Sequence, residues 1–202
     1  MPSSPACIGL TGGIGSGKSA ALQAFHRRGA AVLSADDVVH RLYLDPGVRA
    51  AVRERFGPDV MGADGAVDRP ALGRVVVADP EGMAFLEGLL HPRIAEARSA
   101  WIAEQRAMNP PPPLLVCEVP LLFEVGLADA FDATLVVTAS RDVRRRRVEA
   151  RGQDFEARAA LQWDEGRKVA AANYHYVNDG TEAELDAWVD RMFRSWAADG
   201  SS

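Results

Sequence analysis

The chain has 202 residues, 48% apolar and 25% charged, enough for one globular domain with a proper core and at most an inserted subdomain. Its formal net charge of −5 argues against a general nucleic-acid or anionic-membrane binder, and no apolar run reaches the length of a membrane span. The two cysteines, Cys7 and Cys117, fall in apolar runs and read as buried, reduced thiols of a cytoplasmic protein. Met1-Pro2-Ser3-Ser4-Pro5 has neither the basic n-region nor the apolar h-region of a signal peptide.

Ala6-Cys7-Ile8-Gly9-Leu10 reads as a buried strand, and Ala20 to Arg27 as a helix with apolar residues at helical spacing. Between them stands Gly12-Gly13-Ile14-Gly15-Ser16-Gly17-Lys18-Ser19, a glycine, four residues, then Gly-Lys-Ser. Strand, glycine-rich loop and helix in that order are the context of a phosphate-binding P-loop. Glycines let the backbone turn tightly and bare its N–H groups, and the helix N-terminus adds its positive dipole end. Gly13 to Ser19 thus form a nucleoside-triphosphate site, with Lys18 reaching the β- and γ-phosphates and the Ser19 hydroxyl ligating Mg²⁺.

Ala30-Ala31-Val32-Leu33 is a second short strand, followed by Ser34-Ala35-Asp36-Asp37 and a helix from Val38 to Leu42. Ligands of such parallel sheets bind beyond the carboxyl ends of the strands, which puts Asp36 and Asp37 near the phosphates, although helix capping would also explain a carboxylate there. From Asp45 to about Met108 the alternation of strand and helix stops. Helices are expected over Val48 to Phe56, Ala71 to Val77 and Pro80 to Ala107, the pattern of an inserted substrate-binding block. Pro92 should interrupt the last of these at His91. His91 itself is open between a structural hydrogen-bonder and a functional group.

Asn109-Pro110-Pro111-Pro112-Pro113 is a stiff connector. The sheet resumes at Leu114 to Cys117 and ends in Glu118, which is either a carboxylate holding Mg²⁺ through water or a simple edge carboxylate. Thr134 to Thr138 is a further buried strand and Tyr174 to Val177 a fifth. Between them, Arg141 to Arg151 is the densest charge run. If helical it aligns Arg144, Arg147 and Arg151 on one face, and the favoured reading is a lid whose arginines neutralise the transferring phosphoryl group. Gly152-Gln153-Asp154-Phe155 reads as its hinge or tip, followed by a return helix through Trp163. Thr181 to Trp196 is an amphipathic closing helix, and Gly200-Ser201-Ser202 should be disordered. Two Asp-x-x-Gly matches, at Asp59 and Asp79, raise a GTP-binding switch, but no Asn-Lys-x-Asp guanine motif accompanies them.

The chain resembles the dephospho-CoA kinase family along nearly its whole length. The likeness is carried by Gly9-Leu10-Thr11 running into the P-loop, Ala35-Asp36, Leu89-Leu90-His91-Pro92 followed by Ile94, Pro120-Leu121-Leu122-Phe123-Glu124, and Asn178-Asp179-Gly180. The resemblance implies an α/β P-loop NTPase fold, a central parallel sheet of about five strands flanked by helices. The core would comprise residues 6–44, 113–140 and 166–198, with a helical acceptor-binding subdomain at about 45–110 and a lid at about 141–165. It implies transfer of the ATP γ-phosphoryl group to the ribose 3′-hydroxyl of dephospho-CoA with Mg²⁺, the last step of coenzyme A biosynthesis. Asp36 would accept the hydroxyl proton, with Lys18 and Arg147 as its catalytic partners. Thr11, His91, Pro92, Leu121, Leu122, Phe123 and Glu124 would bind the acceptor, and Arg151 and Asn178 would bind ATP, the latter near the adenine. Ser19 would hold the metal, joined by Glu118 through water. ATP and dephospho-CoA are the expected partners of a monomer that binds neither nucleic acid nor membrane. Ser34 stands where the family usually has a first aspartate, and Ala172 to Tyr176 replaces Ala-Asp followed by aliphatics.

Overall fold

The computed structural model describes residues 4–152, 154–159 and 162–199. Strand β1 (Cys7–Thr11) is buried at every position, as a near-continuous apolar run must be when a strand lies inside a parallel sheet. The other strands are β2 (Ala31–Leu33), β3 (Leu115–Glu118), β4 (Ala133–Thr138) and β5 (Tyr174–Val177). They form one five-stranded sheet in the order β2-β3-β1-β4-β5 with every neighbouring pair parallel. This is the sheet expected from the sequence. The register sets Leu10 beside Glu118 and Thr11 beside Val136, so the carboxyl ends of the three inner strands finish together.

Helix α1 (Lys18–Arg27) follows β1, and α9 (Glu182–Asp199) closes the chain. Both cover one face of the sheet. Ala21, Leu22 and Phe25 of α1 and Leu185, Val189 and Trp196 of α9 pack with Ile8, Leu10, Val116, Leu135 and Val137. Phe25 and Trp196 stack with ring centroids 5.8 Å apart. A reciprocal cap starts α9: the Glu184 carboxylate accepts from the Thr181 N–H at 2.6 Å, and the Thr181 hydroxyl accepts from the Glu184 N–H at 3.3 Å. On the opposite face, Gly9 leaves room for two large side chains. A Cβ placed there would lie 2.6 Å from Leu122 Cδ1 and 2.7 Å from the Phe131 ring. Cys7 and Cys117 are buried thiols not joined in a disulfide, with their sulfurs 4.0 Å apart.

The chain divides into two compact units, Ala35–Trp101 and the remainder. The first contains α2 (Ala35–Leu42), α3 (Pro46–Phe56), α4 (Arg69–Val77) and most of α5 (Pro80–Ala107). Asp45 and Asp68 cap α3 and α4 through their side chains, each followed by a proline in the first turn, where a missing N–H costs nothing. Its separate core is Val48, Val52, Val60, Leu72, Val76, Leu86 and Leu90, with Phe56 and Phe85 meeting edge to face at 5.9 Å.

The break expected at His91-Pro92 does not occur, because α5 runs through Pro92. A proline deletes one helical hydrogen bond, but Leu86 and Leu90, buried one turn apart just before it, keep the helix docked. The Arg93 guanidinium also donates to the Leu89 carbonyl at 2.8 Å beside the interruption. A second difference lies in the return from α6 (Arg141–Glu149). Helix α7 (Phe155–Ala159) is short, and Trp163 is not helical. The Asp164 side chain accepts the Arg167 N–H at 2.8 Å and so starts a new helix, α8 (Glu165–Ala171), just after Trp163. Gln153 and Gly200 to Ser202 lie outside the described residues. Among the described residues no helix is long and apolar enough to cross a membrane.

Replacing Gly9 with valine should cost about 1–3 kcal/mol by overpacking Leu122 and Phe131. A urea denaturation curve would show the midpoint fall with little change in slope.

Candidate active site

The carboxyl end of β1 runs into Gly12 and emerges at Lys18, the first residue of α1. Three glycines in this stretch have positive φ: Gly12 (155°), Gly15 (77°) and Gly17 (98°). Gly17 caps α1 in the left-handed conformation, where a side chain would be strained. Space is as restrictive as torsion. A Cβ on Gly12 would collide with the Val137 carbonyl, one on Gly17 with the Asn178 amide, and one on Gly15 would sit 2.6 Å from the Arg144 carbonyl.

The loop is held from outside by two residues. Asn178, buried just after β5, donates from its side chain to the Ser16 carbonyl at 2.9 Å, while its own N–H donates to the Thr138 carbonyl at 2.7 Å. Arg147 of α6 donates to the carbonyls of Gly15 (3.3 Å), Ser16 (3.4 Å) and Asn178 (3.1 Å). These bonds tie down the loop carbonyls on this side, while of its N–H groups that of Ser16 donates to the Gly13 carbonyl at 3.2 Å and that of Ile14 to Gln162 Oε1 at 2.9 Å. Lys18 lies across the loop, its ammonium donating to the carbonyls of Gly12 (3.1 Å) and Gly13 (3.2 Å). Ser19 is exposed in the first turn of α1. Glu118 is buried at the end of β3, in register with Leu10.

A second group of contacts joins the loop to the segment after β3. The Thr11 hydroxyl donates to the Pro120 carbonyl at 3.2 Å. The same carbonyl accepts from Lys168 at 3.3 Å, and the Lys168 ammonium lies 2.8 Å from Glu124 Oε1. Lys168 is fully buried and Glu124 nearly so. The Trp163 N–H also donates to Glu124 Oε1 at 2.9 Å, and Phe123 stacks on the Trp163 ring with centroids 6.4 Å apart. Burial pushes the Glu124 carboxyl up, but hydrogen bonds from Lys168 and the Trp163 N–H outweigh it and hold the group below the ordinary value of 4.5. Glu165 behaves oppositely. Burial raises its carboxyl, and Arg144, 3.4 Å away, only partly compensates.

Two of the stretches that carry the family likeness, the one ending in the phosphate loop and Pro120–Glu124, thus meet through the Thr11 hydroxyl. The family model for dephospho-CoA kinase matches residues 6–184. The chain belongs to the dephospho-CoA kinase family. A dephospho-CoA kinase of Frankia casuarinae is 39% identical over 196 residues, covering 95% of this chain and 83% of that protein. Among solved structures, TT1252 from Thermus thermophilus has a TM-score of 0.78 at 33% identity, covering 96% of this chain and 97% of that one. The dephospho-CoA kinase from Campylobacter jejuni, 20% identical, shares the fold at a TM-score of 0.67 over 96% and 98% of the two chains.

Within this kinase, Gly13 to Lys18, Arg147 and Asn178 converge. Thr11 meets the Pro120–Glu124 segment, where Leu121 is half-buried and Leu122 lies against Gly9. Arg151 is exposed in the turn after α6. Asp36 is in the first turn of α2, three residues past β2, and His91 and Pro92 are exposed on α5; all three belong to the helical unit. Arg144, read with Arg147 as a lid arginine, lies beside the loop at Gly13 and Gly15, while two residues at the site escaped sequence reasoning: Gln162 and Lys168. For Lys168 a signal existed. Of 23 basic side chains only two are lysines, Lys18 and Lys168, so a chain that places arginine everywhere else marks both positions.

Lys168→Met should destabilise the kinase by roughly 3–5 kcal/mol, because it strands the buried Glu124 carboxylate, and adding Glu124→Gln should restore most of the loss. Chemical denaturation of the two variants checks this. Because the folded-state pKa of Glu124 is lowered, its contribution is complete above pH 4.5 and is lost as pH falls through the depressed value. Glu124→Gln should therefore flatten the acid limb of stability against pH while leaving the neutral region's slope unchanged.

Proposed function

We propose that this kinase transfers the γ-phosphoryl group of ATP to the ribose 3′-hydroxyl of dephospho-CoA, giving coenzyme A and ADP. The observation that carries this reading is the Thr11 hydrogen bond to the Pro120 carbonyl, which ties the strand entering the phosphate loop to the Pro120–Glu124 segment that Lys168 holds in place. A phosphate cradle joined to an acceptor segment holds donor and acceptor in one frame, and positioning of that kind supplies much of the catalysis in phosphoryl transfer.

In the reaction, the 3′-oxygen forms a bond to the γ-phosphorus as the bond to the β,γ-bridging oxygen breaks and ADP leaves. Asp36 takes the hydroxyl proton, the role for which a carboxylate after a strand end is suited. Lys18 neutralises the β- and γ-phosphates, and Arg147, already fixed on the loop carbonyls, adds positive charge beside them. Arg151 and Asn178 complete the ATP side, with Asn178 toward the adenine. His91, Pro92, Leu121, Leu122, Phe123 and Glu124 serve the acceptor.

The donor set also fits Mg²⁺. A serine hydroxyl in the first turn of α1 and one carboxylate at the end of β3 suit an ion bound chiefly by phosphate oxygens and water. Among the described residues no cluster of three His, Cys, Asp or Glu forms a separate metal cage. Ser19 would hold the ion directly and Glu118 through water, and the ion would neutralise charge on the bridged phosphates.

ADP release should be strong with ATP, Mg²⁺ and dephospho-CoA and negligible with AMP, CMP or adenosine in its place; turnover only with another acceptor would overturn the acceptor assignment. Asp36→Asn should lower kcat by about 10²–10⁴ with ATP affinity nearly unchanged, and a loss of affinity alone would remove Asp36 from the proton-accepting role.

A further inference from the structure

Ile14 lies in the middle of the phosphate loop, and its N–H donates to Gln162 Oε1 at 2.9 Å. Gln162 stands just before Trp163 and the start of α8, far from the loop in sequence. A carboxamide has one oxygen acceptor and one nitrogen that only donates. An N–H from the loop can therefore be met only by Oε1, and this contact fixes which way the amide points. Its nitrogen keeps two protons to donate elsewhere.

The position on the loop says where. Lys18, the residue that reaches the β- and γ-phosphates, has its ammonium on the carbonyls of Gly12 and Gly13, and Ile14 is the next residue. Arg144 and Glu165 close on the same point: a Cβ on Gly13 would lie 2.9 Å from Arg144 Nη1 and 2.9 Å from Glu165 Oε1. We infer that Gln162 is a terminal-phosphate contact: pinned through Oε1 by the Ile14 N–H, it donates from Nε2 to a γ-phosphate oxygen and makes the site prefer nucleoside triphosphate to diphosphate.

The inference rests on the ATP reading above and deepens it. A neutral amide gives one directional hydrogen bond to a charged oxygen that ADP lacks, so its effect falls on the triphosphate alone. A phosphoryl-transfer enzyme gains from this, since its product nucleotide competes for the same loop.

Isothermal titration of the wild-type chain, Gln162→Glu and Gln162→Met with Mg²⁺ and either ADP or the imidotriphosphate analogue of ATP tests this. Gln162→Glu is nearly isosteric, still accepts the Ile14 N–H, and replaces the donor with a carboxylate. It should weaken the imidotriphosphate by at least about tenfold and ADP by no more than about threefold. Gln162→Met, which loses both functions, should also weaken the triphosphate more than ADP. If Gln162 merely braced the loop, Gln162→Glu would bind both nucleotides like wild type, or both variants would lose ADP and triphosphate in parallel; either result overturns the inference. Melting curves for each variant accompany the titrations, and the isosteric variant at a partly exposed, non-helical position secures a folded sample. No acceptor enters the experiment. Wild-type chain that binds both nucleotides yet leaves dephospho-CoA untouched would overturn the acceptor reading while this inference stood on its own titrations.

Discussion

The phosphate loop has no room for side chains at Gly12, Gly15 and Gly17, and the rest of the site is built on that. Val137, Arg144 and Asn178 approach so closely that a single methyl group on Gly12, Gly15 or Gly17 would collide with one of them. The same closeness lets Arg147 and Asn178 hold the carbonyls of Gly15 and Ser16. Glycine here supplies both the torsions and the clearance, and each neighbour uses the clearance to fix the torsions. Preorganised donors on such a loop stabilise a polyanion without having to reorient when it arrives.

From that loop the wiring extends in two directions. Arg147 and Asn178 tie it to α6 and to the end of β5, and Thr11 ties it to the segment after β3. Lys168 and Glu124 then fasten that segment to α8, and Gln162 returns from the same stretch to the loop. The contacts close a ring that runs from the loop through the segment after β3 and α8 and back. A charge pair this deeply buried is costly to form and costlier to break, so its two members stay together and keep that segment on α8.

The strands and the phosphate loop were legible in the sequence because their signals are local. Cys7 to Leu10 and Leu135 to Val137 are short apolar runs, and the glycine spacing before Lys18 reports its own torsional needs. Pro92 misled because a local rule was applied where tertiary packing decides, with Leu86 and Leu90 holding α5 in place on the approach to the missing hydrogen bond. Trp163 misled for the reverse reason: Asp164 restarts the helix, a local cap that the expected continuous return helix overlooked. The contacts of Gln162 and Lys168 escaped the reading for a third reason. Each residue acts through a partner at least 20 residues away, and neither periodicity nor capping encodes such pairing.

The economy of lysine has a chemical consequence. With Lys168 sealed in the interior and arginine at every other basic position, the ε-amines of this protein reduce to one that a reagent in solution can meet, and it lies on the phosphate loop. Acylation or aldehyde condensation on a lysine side chain of the folded protein is thereby directed to Lys18. On the proposed ATP reading, bound nucleotide would shield that same amine, and the rate of lysine labelling would gauge how full the site is.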